Sequence, residues 1–249
     1  MSFLKALKTK EKVEAPIDRL GGSTVRPSGV ELFKIKNIYF LAADSGAMMC
    51  YLTATDSKGL DYRESLCVAS GDAKGNSPTY KDKNTGALNF LPGYNIVNAL
   101  AMLTIETDIT DLETETITVK HYSKAASKEI PTEVEVVTDM IGQEVQLAIK
   151  HVIKNKQELV SGKYVDVNEE RAFNEIGSVF EADSGHTLQE ALEGVEPEFK
   201  DKWLEKYEGK PFNTYKEVKG GGGGNSVTSG GNKGDADAGK PKKSMFNKK

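Results

Sequence analysis

The stretch Val30-Glu31-Leu32-Phe33-Lys34-Ile35-Lys36-Asn37-Ile38-Tyr39-Phe40-Leu41 decides the fold. It reads as one long strand, and Met48 to Thr55 and Leu60 to Ala69 follow it after Asp44-Ser45-Gly46 and Asp56-Ser57-Lys58-Gly59. Three strands joined by tight turns make an antiparallel meander. Strict alternation predicts Phe33, Ile35, Tyr39 and Leu41 on one face of the first strand, with Lys34, Lys36 and Phe40 on the other. In the second strand it turns Met48, Cys50, Leu52 and Ala54 inward and Met49, Tyr51, Thr53 and Thr55 outward. The third strand buries Leu60, Leu66 and Val68 and exposes Asp61, Arg63 and Ser65. One face is core; the other carries bases and aromatics.

Outward from the meander, residues 70–86 form a polar, glycine-rich loop with one aromatic, Tyr80, and no phosphate-loop spacing. Leu91 to Leu103 has the apolar stripe of a helix. Two alternating runs, Thr116 to Tyr122 and Ile130 to Val137, predict a hairpin-like insertion, and Gly142 to Lys154 and Lys163 to Val167 add two further strands, with Lys150 and Lys154 outward. Thr187 to Glu193 and Pro197 to Glu208 read as helices, the second with Phe199, Trp203 and Tyr207 on one face toward the parent domain. The fold class expected is mainly β with a few helices: an OB-fold-like five-stranded barrel, a hairpin-like insertion, C-terminal helices and a disordered tail. The divisions are an N-terminal arm (1–29), a core (30–180), a helical extension (181–219) and a glycine-rich linker ending in a basic tip (220–249).

A chain of 249 residues, 38% of them hydrophobic, is long enough for one sizeable core. Lysines interrupt every apolar pair at the start, so neither a secretory leader nor a membrane span is expected, and the cytoplasm is the expected compartment. The two cysteines, Cys50 and Cys67, fall inside predicted strands and suit small buried thiols. Histidines 121, 151 and 186 are scattered without metal-ligand spacing. No nucleophile elbow, paired acid and base, or dinucleotide fingerprint occurs, so neither catalysis nor a metal or other cofactor is expected.

The net charge of -4 hides an uneven distribution. Six lysines and two aspartates after residue 219 give the tail +4, leaving -8 on the first 219 residues. Nucleic-acid binding by so acidic a body requires a local patch. The outward positions supply one: Tyr51, Phe40 and Tyr80 as stacking planes, and Lys34, Lys36, Arg63, Lys150 and Lys154 as phosphate partners. Stacking contributes about 1–3 kcal/mol per base whatever the base, so such a surface holds single strands with little sequence preference.

Several segments taken in order carry a resemblance: Met1-Ser2-Phe3-Leu4-Lys5, Leu20-Gly21-Gly22, Arg63-Glu64-Ser65-Leu66, Ser70-Gly71-Asp72-Ala73-Lys74-Gly75-Asn76, Tyr80, Leu91-Pro92-Gly93, Leu112-Glu113-Thr114-Glu115, Lys128-Glu129-Ile130-Pro131-Thr132, Gly142-Gln143-Glu144-Val145 and Ser244-Met245-Phe246. In this order the chain resembles the single-stranded DNA-binding proteins of podophages, especially the schitovirus type. The resemblance implies a bacteriophage protein in the cytoplasm of the infected bacterial host, coating single strands during DNA replication and recombination. It also implies a tail that contacts host RNA polymerase, for transcription activation at late promoters, or phage replication proteins. Ser244, Lys248 and Lys249 then occupy the contact positions, with Met245 and Phe246 as apolar anchors. The lysine-rich tip departs from the acidic tips of most bacterial and many phage single-strand binders and is expected to favour acidic protein surfaces or to add a salt-sensitive, non-specific grip on DNA. The alternative is a β-rich phage structural or assembly protein with a docking tail.

Overall fold

The computed structural model describes residues 25–123 and 126–218. Lys124, most of the N-terminal arm and the whole basic tip, with Ser244, Met245, Phe246, Lys248 and Lys249, lie outside the described residues. The chain is mainly β. The meander is β1 (Gly29–Ala42), β2 (Met48–Asp56) and β3 (Asp61–Ala69), and a small hairpin of β4 (Thr79–Lys81) and β5 (Leu88–Phe90) precedes helix α1 (Pro92–Ile105). The inserted hairpin is β6 (Glu115–Ser123) and β7 (Lys128–Val136), followed by a long ribbon of β8 (Glu144–Val160) and β9 (Lys163–Glu181). Helices α2 (Leu188–Glu193) and α3 (Phe199–Tyr207) and a two-residue strand, β10 (Phe212–Asn213), complete the order. Among the described residues no helix is long and apolar enough to cross a membrane.

Strand β1 organises the sheet because one edge serves two partners. Its first half pairs with β8 from Gly29↔Ile149 to Lys34↔Glu144, and its second half meets β7 at Tyr39↔Val136 and Phe40↔Glu135. The other edge pairs with β2 throughout, interrupted by a bulge between Ile35 and Asn37. An extra residue in one strand shifts the facing of everything beyond it. Strict alternation therefore fails past Lys36: Ile38 is buried in the main core and Phe40 packs partly buried against it, whereas Tyr39 joins Leu41, Tyr51, Val134 and Val136 on the opposite face. The faces expected for Tyr39 and Phe40 are exchanged. Leu60 also departs from expectation: it sits in the turn, 58% exposed, and Tyr62 fills the core position instead.

Eight strands hydrogen-bond into one sheet, but it does not close; β3 and β9 are not paired. The five-stranded barrel expected from the sequence is in this respect an open sheet with a longer ribbon and an extra hairpin. Side chains span the unpaired seam. Glu64 on β3 accepts the Ile176 N–H of β9 at 2.8 Å and the Tyr62 hydroxyl at 2.5 Å. Asn174 of β9 accepts the Arg26 N–H and donates to its carbonyl, while the Arg26 guanidinium reaches Asp56 at 2.6 Å and the Leu60 carbonyl at 3.2 Å. Helix α1 covers the same seam, so close to β3 that a Cβ on Gly93 would stand 2.3 Å from the Cys67 carbonyl oxygen. Only glycine tolerates that approach. The core beneath holds Phe33, Ile35, Leu52, Leu100, Leu147 and Val179. On the far side of β8, Trp203 of α3 packs on Ala148 and Phe180, as its helical stripe predicts.

Burial and the nearby Glu175 raise the Glu64 pKa, against the pull of its two donors. A carboxyl whose pKa is higher folded than unfolded weighs on stability at neutral pH, and the weight lifts as pH falls toward the ordinary glutamate value. Glu64→Gln keeps an acceptor for Ile176 and removes the charge, so the stability difference between the two proteins should move in favour of the wild type on acidification from pH 7. Glu64→Ala strands a part-buried N–H and should cost about 1–3 kcal/mol. Urea unfolding at several pH values measures both.

Candidate nucleic-acid interface

Alternation along β2 and β3 sets out the candidate surface. Tyr51, Thr53 and Thr55 leave the core side of β2, and Asp61, Arg63, Ser65 and Cys67 leave that of β3, with Tyr51↔Ser65 and Thr53↔Arg63 as cross-strand partners. Lys36, at the bulge of β1, joins them. Its ammonium lies 3.0 Å from Asp61, and the Arg63 guanidinium is 3.9 Å from the same carboxylate. Asp61 also accepts the Thr55 hydroxyl at 2.7 Å. The Thr55 bond and then the Lys36 bond hold the Asp61 pKa below the usual carboxylate range, so a fixed anion stands between two cations. Lys34 is exposed one turn of the pleat away.

Tyr51 is not bare. Its ring stacks on Tyr39 at 5.1 Å and 15°, and His121 from β6 meets it edge-on at 4.7 Å and 78°. The Tyr39 hydroxyl lies 3.0 Å from His121 Nδ1. Burial pushes the pKa of both tyrosine hydroxyls up, so they stay protonated. The β6–β7 hairpin thus leans over the sheet, with Val134 and Val136 beneath it and only two ladder pairs holding it to β1.

At the other end of the same face, Cys67 turns into a cleft of about 590 Å³ lined by Ser70, Lys74, Thr79, Tyr80 and Lys81 among others. Tyr80 is 42% exposed. Lys74 lies in the 3-10 turn Asp72–Lys74, which Gly75 ends with a positive φ of 77°. Lys74 and Lys81 join Tyr80 here although only Tyr80 is expected from the sequence; their place on either side of the single aromatic in an otherwise polar loop is the signal that marks them. Beside the cleft, Phe90 and Tyr94 stack at 4.4 Å and 8°.

The structure brings Lys34, Lys36, Tyr51 and Arg63 onto one face and sets Tyr80 at the far end of it. It does not bring Phe40, Lys150 or Lys154 there. Phe40 packs against the core and lines a second cleft. Lys150 runs over Gly177 toward the rings of Tyr207 and Phe212, 5.4 and 5.5 Å from its ammonium, with Glu175 at 4.0 Å. Lys154 sits over the Phe173 ring at 4.7 Å on the ribbon. Among the described residues no cluster of His, Cys, Asp and Glu is placed to hold a metal ion. No family model matches the chain, and neither does any curated protein.

His121→Ala removes both the edge contact and the bond to Tyr39. Amide hydrogen exchange of 115–123 and 128–136 should then speed up while β1, β2 and β3 keep their protection, as measured by mass spectrometry on peptides from each hairpin.

Proposed function

We propose that this protein is a non-catalytic binder of single-stranded DNA, holding the strand along the outward face of β2 and β3. The fold reading that accompanies it is an OB-like one: a meander, a helix under the open seam and a closing ribbon, with strands two and three facing the ligand. The observation that supports it best is the row Arg63, Ser65, Cys67 leading on to Tyr80 between Lys74 and Lys81. Successive outward residues on a strand stand about 6.6 Å apart, so the row gives an extended chain polar, regularly spaced footing between cations at either end. Lys36 and Lys34 widen the basic end. An exposed tyrosine at the other offers a plane to any base.

The resemblance drawn from the sequence extends this proposal to a bacteriophage protein of replication and recombination, acting in the cytoplasm of the infected host, with the tail contacting host RNA polymerase or phage replication proteins. Two observations weigh against strand binding and keep a second reading, a β-rich phage structural or assembly protein with a docking tail, in play: Asp61 already occupies Lys36 and Arg63, and His121 already covers Tyr51. The strand-binding reading requires DNA phosphates to displace Asp61 from its partners and the hairpin to yield to a base.

Fluorescence anisotropy with labelled oligonucleotides over a salt series separates the two. Single strands should bind well above duplex, with affinity falling steeply in salt. Replacing Lys36 and Arg63 by alanine should flatten the slope of log affinity against log salt by roughly 0.7 per lost phosphate contact, Tyr80→Ala should cost about 1–3 kcal/mol, and Asp61→Asn should strengthen binding. Equal affinity for duplex and single strand, or none for either, would leave the structural reading standing.

A further inference from the structure

The β4–β5 hairpin forms a small sheet of its own and carries a ring on each face. Pairing runs from Thr79↔Phe90 through Tyr80↔Asn89 to Lys81↔Leu88, and residues opposite one another share a face. Phe90 therefore stands on the side opposite Tyr80. All of β4 borders the cleft that holds Cys67 and Lys74, and none of β5 does. Phe90 instead lies on Tyr94, 4.4 Å away and 8° from parallel, and is still 47% exposed.

The hairpin is stiff for its size. Asp82 accepts the Asn84 and Thr85 N–H groups and the Thr85 hydroxyl at 2.8, 2.7 and 3.0 Å, and Gly86 completes the turn with a φ of 73°. At the base, the Ser77 carbonyl accepts the Ser70 N–H and the Pro78 carbonyl accepts the Leu91 N–H, both at 2.8 Å. Tyr94 belongs to the first turn of α1, which is pressed against β3 at Gly93. The plate beneath Phe90 is thus fixed to the strand that carries Arg63, Ser65 and Cys67. A ring held in place beforehand loses little freedom when a ligand settles on it.

What fits this hairpin follows from the groups around its rings. Residues 70–91 carry Lys74, Lys81 and Lys83 against Asp72 and Asp82, a balance of +1 in a body of -8. Asp72 is engaged by the Asn76 amide at 3.0 Å, and Asp82 by its own turn. The three lysines are exposed and enter no ion pair among the described residues, whereas Lys36 and Arg63 share Asp61. Tyr94 is the one ring that Phe90 meets among the described residues, whereas Tyr51 lies between Tyr39 and His121. A phosphate arriving here displaces no carboxylate, and a base meets an open ring. We propose that the hairpin is the first hold on a single strand, a finger that takes one base on Tyr80 and another on the open face of Phe90. Lys74, Lys81 and Lys83 neutralise the phosphates around it. This assignment rests on the strand-binding reading and adds Phe90 and Lys83 to its contact residues.

The single tryptophan of the chain, Trp203, is buried against Ala148 and Phe180, so it serves as an internal control for a second indole. Phe90→Trp in the full chain places that indole over Tyr94. An oligothymidine of about 16 nucleotides, the upper site size for a fold of this kind, should quench the added emission over the range where anisotropy reports binding, with little change in the wild type. Phe90→Leu keeps an apolar side chain on Tyr94 without a stacking plane and should weaken binding about fivefold or more. Lys81→Ala with Lys83→Ala should flatten the slope of log affinity against log salt by roughly 1.4 for two lost contacts. An indole that stays bright while anisotropy shows DNA bound, or a Phe90→Leu protein that binds like the wild type, overturns the finger and leaves the strand-binding reading in place. A wild type that binds no single strand overturns both.

Discussion

Everything in this structure depends on a seam that backbone hydrogen bonds leave open. Strands β3 and β9 come together beneath α1 without forming a ladder; the Glu64 side chain joins them, and Arg26 ties Asn174 of β9 to Asp56 and Leu60 where β2 turns into β3. Both are charged groups with little access to water, whose partners must be well placed to offset desolvation. Arg26 is well matched: Asp56, 3% exposed at its side chain, faces it at 2.6 Å, and although burial works against the charge, the Leu60 N–H, the guanidinium and the Lys58 N–H hold the Asp56 pKa below the carboxylate range. Glu64 is matched less well, and its pKa rises. A seam held in this way fixes how β3 meets the ribbon, and so sets the outward tilt of Arg63 and Ser65 on the strand that carries Glu64.

The second constraint is the bulge at Lys36. Because β1 must pair with β8 early and with β7 late on a single edge, the strand has to change direction midway, and an added residue does this at small cost. The same residue projects Lys36 toward Asp61 and moves Tyr39 to the outer face, where it stacks on Tyr51. Without the bulge there would be no paired tyrosines for His121 to cover and no route for Phe40 into the second cleft. Topology and surface chemistry thus share one cause.

Much of this was legible in the sequence, and the parts that were not share a reason. Helix α1, the meander, the inserted hairpin and the two C-terminal helices fall within a few residues of their expected places, because periodicity and turn residues are local signals. Trp203 packs as its stripe foretold. Tyr39, Phe40 and Leu60 went astray because a bulge and a turn boundary alter facing by one residue, and no residue in Lys34-Ile35-Lys36-Asn37 announces the change. The β8–β9 ribbon is longer than expected because its outer half has no core to imprint alternation: Asn155 pairs with Glu170, Gln157 with Asp166 and Glu158 with Val165 across a register shift at Lys156, and Leu159, Val160 and Tyr164 are exposed. Lys150, expected outward, is instead largely covered, because α3 and β10 lie over it, a tertiary contact that no local pattern in β8 signals.

The charge distribution ties the surfaces together. Of the -8 carried by the first 219 residues, much of the acid is concentrated in the 106–115 segment, along the ribbon and on α3. The outward face of β2 and β3 keeps a single anion, Asp61, between Lys36 and Arg63. Under the strand-binding proposal that arrangement would serve a purpose, because an internal carboxylate holds the cations in place when no phosphate is present and competes with phosphate at close range. On that proposal, binding would exchange one ion pair for another, with a modest net gain per contact that depends strongly on salt, so affinity would have to come from stacking planes rather than from the depth of any single ionic site.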